Sequence, residues 1–137
     1  MVTVARIDIN EALPLRQAVL WPHSPINACR VDGDEHAHHY GAYCEQQLIG
    51  VGSLFINQRH ARLRKFAVDP QYQHQGVGTN LLTTMINRLH EQHINILWCD
   101  ARVSAIDFYR RRGFTQTSDT FLKRGVRYCK MSYQIHE

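Results

Sequence analysis

One helix with a sharply marked beginning constrains this chain more than any other feature. A short apolar run ends at Asp69 and Pro70, and the segment QHQGVG at residues 73–78 then places two glycines just before an amphipathic pattern. The pattern has helical spacing, with apolar residues at Val77, Leu81, Leu82, Met85, Ile86 and Leu89. The chain must therefore place a strand, a tight turn and a helix in immediate succession.

The rest of the chain predicts a mixed sheet with helices packed on it. Residues 2–9 predict a strand, and a short helix with a possible cap at Asn10 follows. Three antiparallel strands precede the long helix, and a buried strand, a second helix capped by Ser104 and a final strand come after it, at 39–45, 48–56, 61–68, 94–101, 104–114 and 125–135. Residues 22–39 predict a loop with one short helical turn, and residues 115–124 a mobile segment.

Length and composition limit the class of protein. With 137 residues, 44% of them hydrophobic, one domain spanning residues 1–137 is expected. There is no apolar run of about 18 residues and no basic leader, so we expect a soluble, cytoplasmic protein without membrane contact. The four cysteines form no CxxC pair, which predicts reduced and partly buried thiols. A net charge of +4 suggests an anionic partner, either nucleic acid or a phosphorylated cofactor.

The glycine segment has the chemistry of an anion site. The first amide groups of a helix lack intrahelical partners and lie at the positive end of its dipole, where phosphate binds. Gly76 and Gly78 allow close approach to the backbone, and Gln73 and Gln75 can add neutral donors. No Lys-Ser/Thr follows and the third glycine of a dinucleotide motif is missing, so a simple turn or packing role explains the pair equally well.

A second motif resolves this ambiguity through resemblance. QHQGVG matches the Gln/Arg-x-x-Gly-x-Gly/Ala signature of the GNAT family of acyl-CoA-dependent N-acyltransferases, and ARVSAIDFYRRRGF at 101–114 resembles its later Ala-x-x-Leu/Phe-Tyr-x-x-x-Gly-Phe segment. The resemblance implies an α/β fold of mixed α+β type: a mostly antiparallel sheet, splayed between its fourth and fifth strands, with helices on both faces. Arg102 stands where many members of the family have asparagine.

The resemblance also implies acetyl-CoA as cosubstrate and no metal. The backbone of Phe66, Ala67 and Val68 is expected to pair with the pantetheine arm. The residues expected to hold the rest of the cofactor are Gln73, His74, Gln75, Gly76, Val77, Gly78, Thr79, Ser104 and Phe108.

Tyr109 matches the family's tyrosine that faces the sulfur, so it is the predicted acid, with a core tyrosine as the alternative. No base is evident, because the fourth strand has no carboxylate. A water chain and six side chains stay open: Glu35, His36, His38, His39, His60 and Asp100.

The expected function is acetyl transfer to a primary amine by direct attack in a ternary complex; the alternative is a non-catalytic module that binds acyl-CoA.

The segment DGDEHAHH at 32–39 favours an acceptor loop or plain surface over a metal site. Arg59, Arg62, Arg64 and Lys65 predict a mostly solvated strand face, while residues 110–112 lie on a helix that runs beside CoA in the family. Nucleic acid is not an expected partner, and a homodimer is possible.

Overall fold

The structure, a computed structural model, describes residues 1–136. Its sheet has eight strands in the order β1-β2-β3-β4-β5-β8-β6, and β7 pairs with β8. The strands are β1 Val2–Ile7, β2 His38–Cys44, β3 Gln47–Asn57, β4 His60–Val68, β5 Ile96–Arg102, β6 Thr115–Gln116, β7 Phe121–Lys123 and β8 Val126–Gln134. The helices are α1 Ile9–Leu20, α2 Val77–Glu91 and α3 Ile106–Arg111, with 3-10 turns at Ile26–Cys29, Asp34–His36, Pro70–Tyr72 and Val103–Ala105.

One strand pair gives the sheet its mixed character. All the other neighbours are antiparallel, whereas β4 and β5 are parallel. Two parallel strands cannot be joined by a tight turn, so the chain needs a crossover, and α2 supplies it. The predicted mixed α/β architecture is confirmed.

The parallel pair separates soon after it forms. β4 pairs with β5 only from His60 to Arg62, and each strand then continues with another partner, β4 with β3 and β5 with β8. β4 also bulges: Val51 faces Ala67 and Ser53 faces Arg64, so two residues of β4 are accommodated opposite one residue of β3. The sheet is therefore split between β4 and β5, as the resemblance implied.

The helices cover both faces of the sheet. Neighbouring residues of β3 point to opposite faces. Ser53 accepts a hydrogen bond from Arg16 of α1 at 3.1 Å, whereas Leu54 belongs to the apolar cluster that contains Leu81 and Met85 of α2. The amphipathic pattern of α2 is thus satisfied against one face, and α1 packs on the other.

Several local predictions were wrong. The cap of α1 is Asp8 and not Asn10: the Asp8 carboxylate accepts from the Glu11 amide at 3.0 Å, and the Glu11 carboxylate accepts from the Asp8 amide at 3.3 Å. This reciprocal capping box satisfies two amide groups, more than a single cap would. Ser104 lies in the 3-10 turn before α3 and does not cap the helix.

Two segments are more regular than their sequences suggested. Residues 115–124, predicted to be mobile, contain β6 and β7, which pair with opposite parts of β8. The loop at 22–39 contains two 3-10 turns and not one, and its last two residues begin β2. Over residues 1–136, no helix is both long and apolar enough to cross a membrane, and the four cysteines are free.

Candidate active site

A cavity of about 780 Å³ lies at the split between β4 and β5. Most of the predicted site residues line it: Phe66, Val68, Gln73, His74, Gly76, Val77, Gly78, Thr79, Ser104, Phe108 and Tyr109. The cavity is thus lined by residues from β4, α2, α3 and the segment 73–79 that contains Gly76 and Gly78, called the glycine loop below.

Two predicted residues do not line this cavity. The Ala67 side chain is buried in a cluster with Ile7, Ala12 and Val51 on the α1 side of the sheet, so any contact it makes with a ligand is through its backbone. The Gln75 amide group donates to the carbonyl of Gln71 at 3.3 Å. Gln75 therefore stabilises the turn before the helix.

The glycine loop has the geometry that an anion requires. Gly76 has φ +83° and immediately precedes α2, and a Cβ added there would have no atom within 4 Å. Its need for glycine is therefore conformational, since the space that a Cβ would occupy is open. At Gly78 an added Cβ would lie 3.3 Å from the Phe108 ring, so this position must be small. The chemistry suits an anion, because the first amides of α2 have no partners within the helix and residues 76–79 line the cavity.

Side chains hold this loop in shape. Asp69 accepts a hydrogen bond from the Gln71 amide at 2.9 Å and so caps the 3-10 turn that leaves β4. The Gln73 side chain donates to the carbonyl of Val68 at 3.1 Å, which ties the loop back to the strand end. The direction from which α2 starts is therefore set by contacts with β4.

Arg112 lines the cavity beside the glycine loop. The Arg112 Nε donates to Thr79 Oγ1 at 3.0 Å, and its Nη1 donates to the carbonyl of Phe108 at 2.7 Å. The guanidinium also stacks on the Phe108 ring, with 3.9 Å from Cζ to the ring centroid. Arg111 lines the cavity as well, whereas Arg110 points to Gln116, 3.1 Å away. The end of α3 is thereby fastened to the start of α2, with positive charge beside the loop.

Tyr109 combines burial with access to the cavity. Its ring makes edge contacts with Phe108 and Phe114, each at 5.2 Å between centroids. Burial raises the pKa of Tyr109 well above its usual value, and the neighbouring Cys99 thiol adds to the effect. Burial likewise raises the pKa of Cys99 to about 12. Both groups keep their protons at neutral pH, so Tyr109 can act as a hydrogen-bond donor.

Of the six side chains considered as bases, only Asp100 lines this cavity. It lies on β5, directly across the split, and its Oδ2 accepts from Arg62 at 2.9 Å and from Lys123 at 3.2 Å. Its Oδ1 is buried and has no hydrogen-bond partner among residues 1–136. The family resemblance directed attention to β4, which has no carboxylate, so the sequence did not single out Asp100. The available signal was the position of Asp100 on β5, the strand on the other side of the split.

His39, another candidate base, is occupied elsewhere. Its Nδ1 lies 2.6 Å from Ser53 Oγ, and its Nε2 lies 2.8 Å from the carbonyl oxygen of Asp34. Within residues 1–136, no three His, Cys, Asp or Glu side chains come together in a way that could hold a metal ion. The segment at 32–39 therefore owes part of its polarity to a buried network.

The basic side chains of β4 were wrongly expected to form a mostly solvated face. Arg59 is exposed, but Arg62, Arg64 and Lys65 are only partly exposed and line the cavity. The ammonium of Lys65 lies 4.4 Å from the centroid of the Trp21 ring. Burial first, and then nearby cations including Arg64, lower the pKa of Lys65 to about 8. The split between β4 and β5 and the bulge that contains Lys65 explain the difference, because together they leave this part of β4 lining the cavity.

The fold and the site define a class of protein: an α/β protein whose mostly antiparallel sheet opens between two parallel strands, with a cavity at the split and a glycine turn beside it that starts a helix. Residues 22–135 match the family model described as an acetyltransferase (GNAT) domain. The chain belongs to the GNAT family of acetyltransferases.

Relatives support this assignment, and a solved structure has the same fold. The chain is 42% identical over 119 residues to the ribosomal protein bS18-alanine N-acetyltransferase of Haemophilus ducreyi, an alignment that covers 83% of this chain and 81% of the relative. It is 26% identical over 135 residues to the uncharacterized N-acetyltransferase YitI of Bacillus subtilis, covering 92% and 91%. The crystal structure of the ribosomal-protein-S18-alanine N-acetyltransferase from Escherichia coli superposes with a TM-score of 0.82 at 19% identity, over 100% of this chain and 96% of the other.

Proposed function

We propose that the protein transfers the acetyl group of acetyl-CoA to a primary amine, by direct attack in a ternary complex. The observation that carries the proposal is the cavity itself, which joins a phosphate-binding loop, a protonated Tyr109 and the carboxylate of Asp100 at one split in the sheet. Family membership supports acyl-CoA as the donor.

The end of β4 and the glycine loop after it form a continuous surface for binding acetyl-CoA. Beyond Arg62, β4 has no partner in β5, so backbone groups between Phe66 and Val68 are available to a peptide-like arm. The glycine loop at 73–79 follows directly and meets the pyrophosphate, with Arg112 at hand to offset its charge. When bound, acetyl-CoA would supply an activated thioester carbonyl for the amine to attack.

Asp100 is the group proposed to take the proton from the amine. An ammonium ion cannot attack a carbonyl carbon, so the acceptor must lose a proton before or during transfer. One oxygen of Asp100 has no partner among residues 1–136, while Arg62 and Lys123 hold the other. Arg62 and Lys123 thus hold the carboxylate in one orientation, and its buried Oδ1 makes no hydrogen bond within residues 1–136.

Tyr109 is the group proposed to assist the leaving sulfur. A thiol ordinarily has a pKa near 8.5, so full proton transfer from a phenol with a raised pKa runs uphill. A hydrogen bond that strengthens as charge develops on sulfur avoids this cost. The aromatic contacts of Tyr109 fix its ring and so aim that donor.

Two measurements separate the proposed acetyl transfer from the alternative, which is cofactor binding without turnover. Acetyl-CoA should raise the melting temperature of the protein under both hypotheses, because a ligand that binds only the folded state adds apparent stability. Thiol release measured across a panel of amines should then show turnover with at least one of them. Stabilisation with no turnover for any amine favours the binding module, and no stabilisation by acetyl-CoA or CoA contradicts both.

A further inference from the structure

We propose that the acceptor amine carries an anionic group, a carboxylate or a phosphate, close to its amino nitrogen. The inference rests on the proposed function and names the class of substrate for that site. It comes from five charged residues that line one cavity: Arg62 and Lys123, which both bind the Asp100 carboxylate, and two further cations of β4, Arg64 and Lys65.

The two ends of the cavity are well separated. The glycine loop follows the end of β4 at Val68, whereas Arg62 lies six residues earlier, at the last pair between β4 and β5. Six residues of extended strand span roughly 20 Å, and Arg64 and Lys65, four and three residues before Val68, lie roughly 13 and 10 Å along the strand from its end. The loop end has its own cations, Arg111 and Arg112, so the cluster around Asp100 is not needed to offset the pyrophosphate.

The charges of this cluster are not balanced within the protein. Asp100 is the one carboxylate among the described residues that line the cavity, and its Oδ2 serves both Arg62 and Lys123. Arg64 and Lys65 contact aromatic rings instead: the Arg64 guanidinium lies 5.3 Å from the Phe55 ring centroid. Neither forms an ion pair with a carboxylate within residues 1–136. An anion on the substrate would complete the arrangement.

Lys65 combines an unfavourable backbone conformation with partial burial of its charge. Its φ of +56° is a left-handed conformation that a side chain with a Cβ rarely adopts, and it sits in the bulge of β4. Its ammonium is partly desolvated beside other cations, which agrees with its lowered pKa. Strain and unbalanced burial of this kind cluster at binding sites, where a ligand gives them a purpose.

The cluster also lies where an acceptor can enter. Trp21 follows the end of α1, and Lys123 and Tyr128 come from the β7–β8 hairpin, so two segments outside the surface for binding acetyl-CoA flank it. The Lys123 ammonium lies 4.8 Å from the Tyr128 ring centroid. An amine at Asp100 would bring its neighbouring anionic group towards the cations Arg64 and Lys65, which line the same cavity, and the molecule would then match both signs of charge.

The test uses pairs of amines that differ in one anionic group: β-alanine with β-alaninamide, and O-phosphoethanolamine with ethanolamine, with spermidine as a cationic probe. We expect kcat/KM, from thiol release, to be higher for the anionic member of at least one pair by about tenfold to a hundredfold, the range of one charge-assisted hydrogen bond. The pair with the larger ratio identifies carboxylate or phosphate.

Variants locate the effect. Lys65→Gln and Arg64→Gln should each reduce the ratio within the preferred pair towards 1, Lys65→Arg should retain much of it, and Arg88→Gln, on the exposed side of α2, should leave it unchanged. Stabilisation by acetyl-CoA shows that each variant is folded. Equal rates within both pairs, a preference for spermidine, or ratios unaffected by both glutamine variants would overturn the inference.

The outcome also separates this inference from the proposed function. Turnover of neutral amines as fast as anionic ones leaves the acetyltransferase proposal intact and removes the charge requirement. If no amine is turned over, the proposed function fails, and the inference is judged by binding: in the presence of CoA, β-alanine and O-phosphoethanolamine must stabilise the protein more than their neutral partners do. Equal or absent stabilisation contradicts it.

Discussion

Arg16 and Asp34, 18 residues apart in the chain, are joined by two hydrogen bonds of 2.8 and 3.2 Å in the interior of the protein. Both side chains are almost wholly buried, at 0% and 3% exposure. Arg16 also donates to the carbonyl of Cys29 at 3.0 Å and to Ser53 at 3.1 Å. A single side chain of α1 thus anchors both turns of the loop that follows it to the central strand β3.

Replacement of Asp34 by Asn should therefore destabilise the protein strongly. The substitution leaves the buried Arg16 cation without its carboxylate, and breaking such a pair from one side typically costs about 3–5 kcal/mol. Urea denaturation measures the difference in the free energy of unfolding. Asp119→Asn, an exposed site, is the matched control and should change it by less than about 0.5 kcal/mol. A loss no larger than that of the control would show that Asp34 is not an anchor.

The same pair predicts an acid-sensitive fold. Burial alone would raise the pKa of Asp34, but hydrogen bonds from Arg16 and from the Val31 amide outweigh it and hold the pKa below its usual value. A carboxyl with a lowered pKa in the folded state adds stability above its unfolded pKa near 3.9, and this stability is lost as pH falls through the folded value. Melting temperatures between pH 7 and pH 2.5 should fall more steeply for the wild type than for Asp34→Asn below about pH 4. Parallel curves would contradict this assignment.

The parts of the fold that follow local rules could be predicted from the sequence. The amphipathic pattern gave α2 from Val77, and the turn at 69–70 gave the end of β4, because periodicity and proline act locally. The cap of α1 was misplaced because two residues, Asp8 and Glu11, cap the helix together. β7 was missed because a strand of three residues forms only where β8 offers a partner.

The site residues also divide into those that local sequence motifs indicate and those that only the fold brings together. The glycine loop and Tyr109 lie in contiguous motifs, so resemblance placed them. Asp100 was one of six equal candidates, because its neighbours at the split come from β4 and from the β7–β8 hairpin, far away in sequence. Lys65 lines the cavity because β4 bulges at this residue, and nothing in the local sequence indicates a bulge there.

Gly76→Glu should abolish binding of acetyl-CoA. The position has φ +83° and opens onto the anion site, so the substitution adds strain of about 1–2 kcal/mol and a negative charge where phosphate is expected. Gly125→Glu is a matched control, because Gly125 also has positive φ (+78°) and no atom within 4 Å of an added Cβ, but it lies in the β7–β8 turn. Calorimetry with CoA should show binding for the control alone. Retained affinity in Gly76→Glu would reject the pyrophosphate assignment.

Asp100→Asn should lower kcat by about a hundredfold to ten-thousandfold, the usual contribution of general acid–base catalysis. An amide cannot accept the proton of an ammonium, although it keeps the size of the carboxylate. Steady-state kinetics on any amine that is turned over measure the effect, with Asp107→Asn, exposed on α3, as control. Because the loss reflects deprotonation of the acceptor, it should shrink as pH rises and more of the amine is neutral. A loss that is the same at every pH would mean that Asp100 orients Arg62 and Lys123 instead.

Tyr109→Phe should lower kcat by about a hundredfold to a thousandfold while leaving the affinity for CoA unchanged. The substitution removes the hydroxyl proposed to assist the leaving sulfur but keeps the ring and its contacts with Phe108 and Phe114. Because the pKa of Tyr109 is well above its usual value, the wild type should show no loss of rate from its ionisation between pH 7 and pH 9. Tyr133→Phe is the control, since Tyr133 packs on Phe114 at 5.4 Å without lining the cavity. A rate equal to that of the wild type in Tyr109→Phe would make Tyr109 a core residue, as helical packing alone would have it.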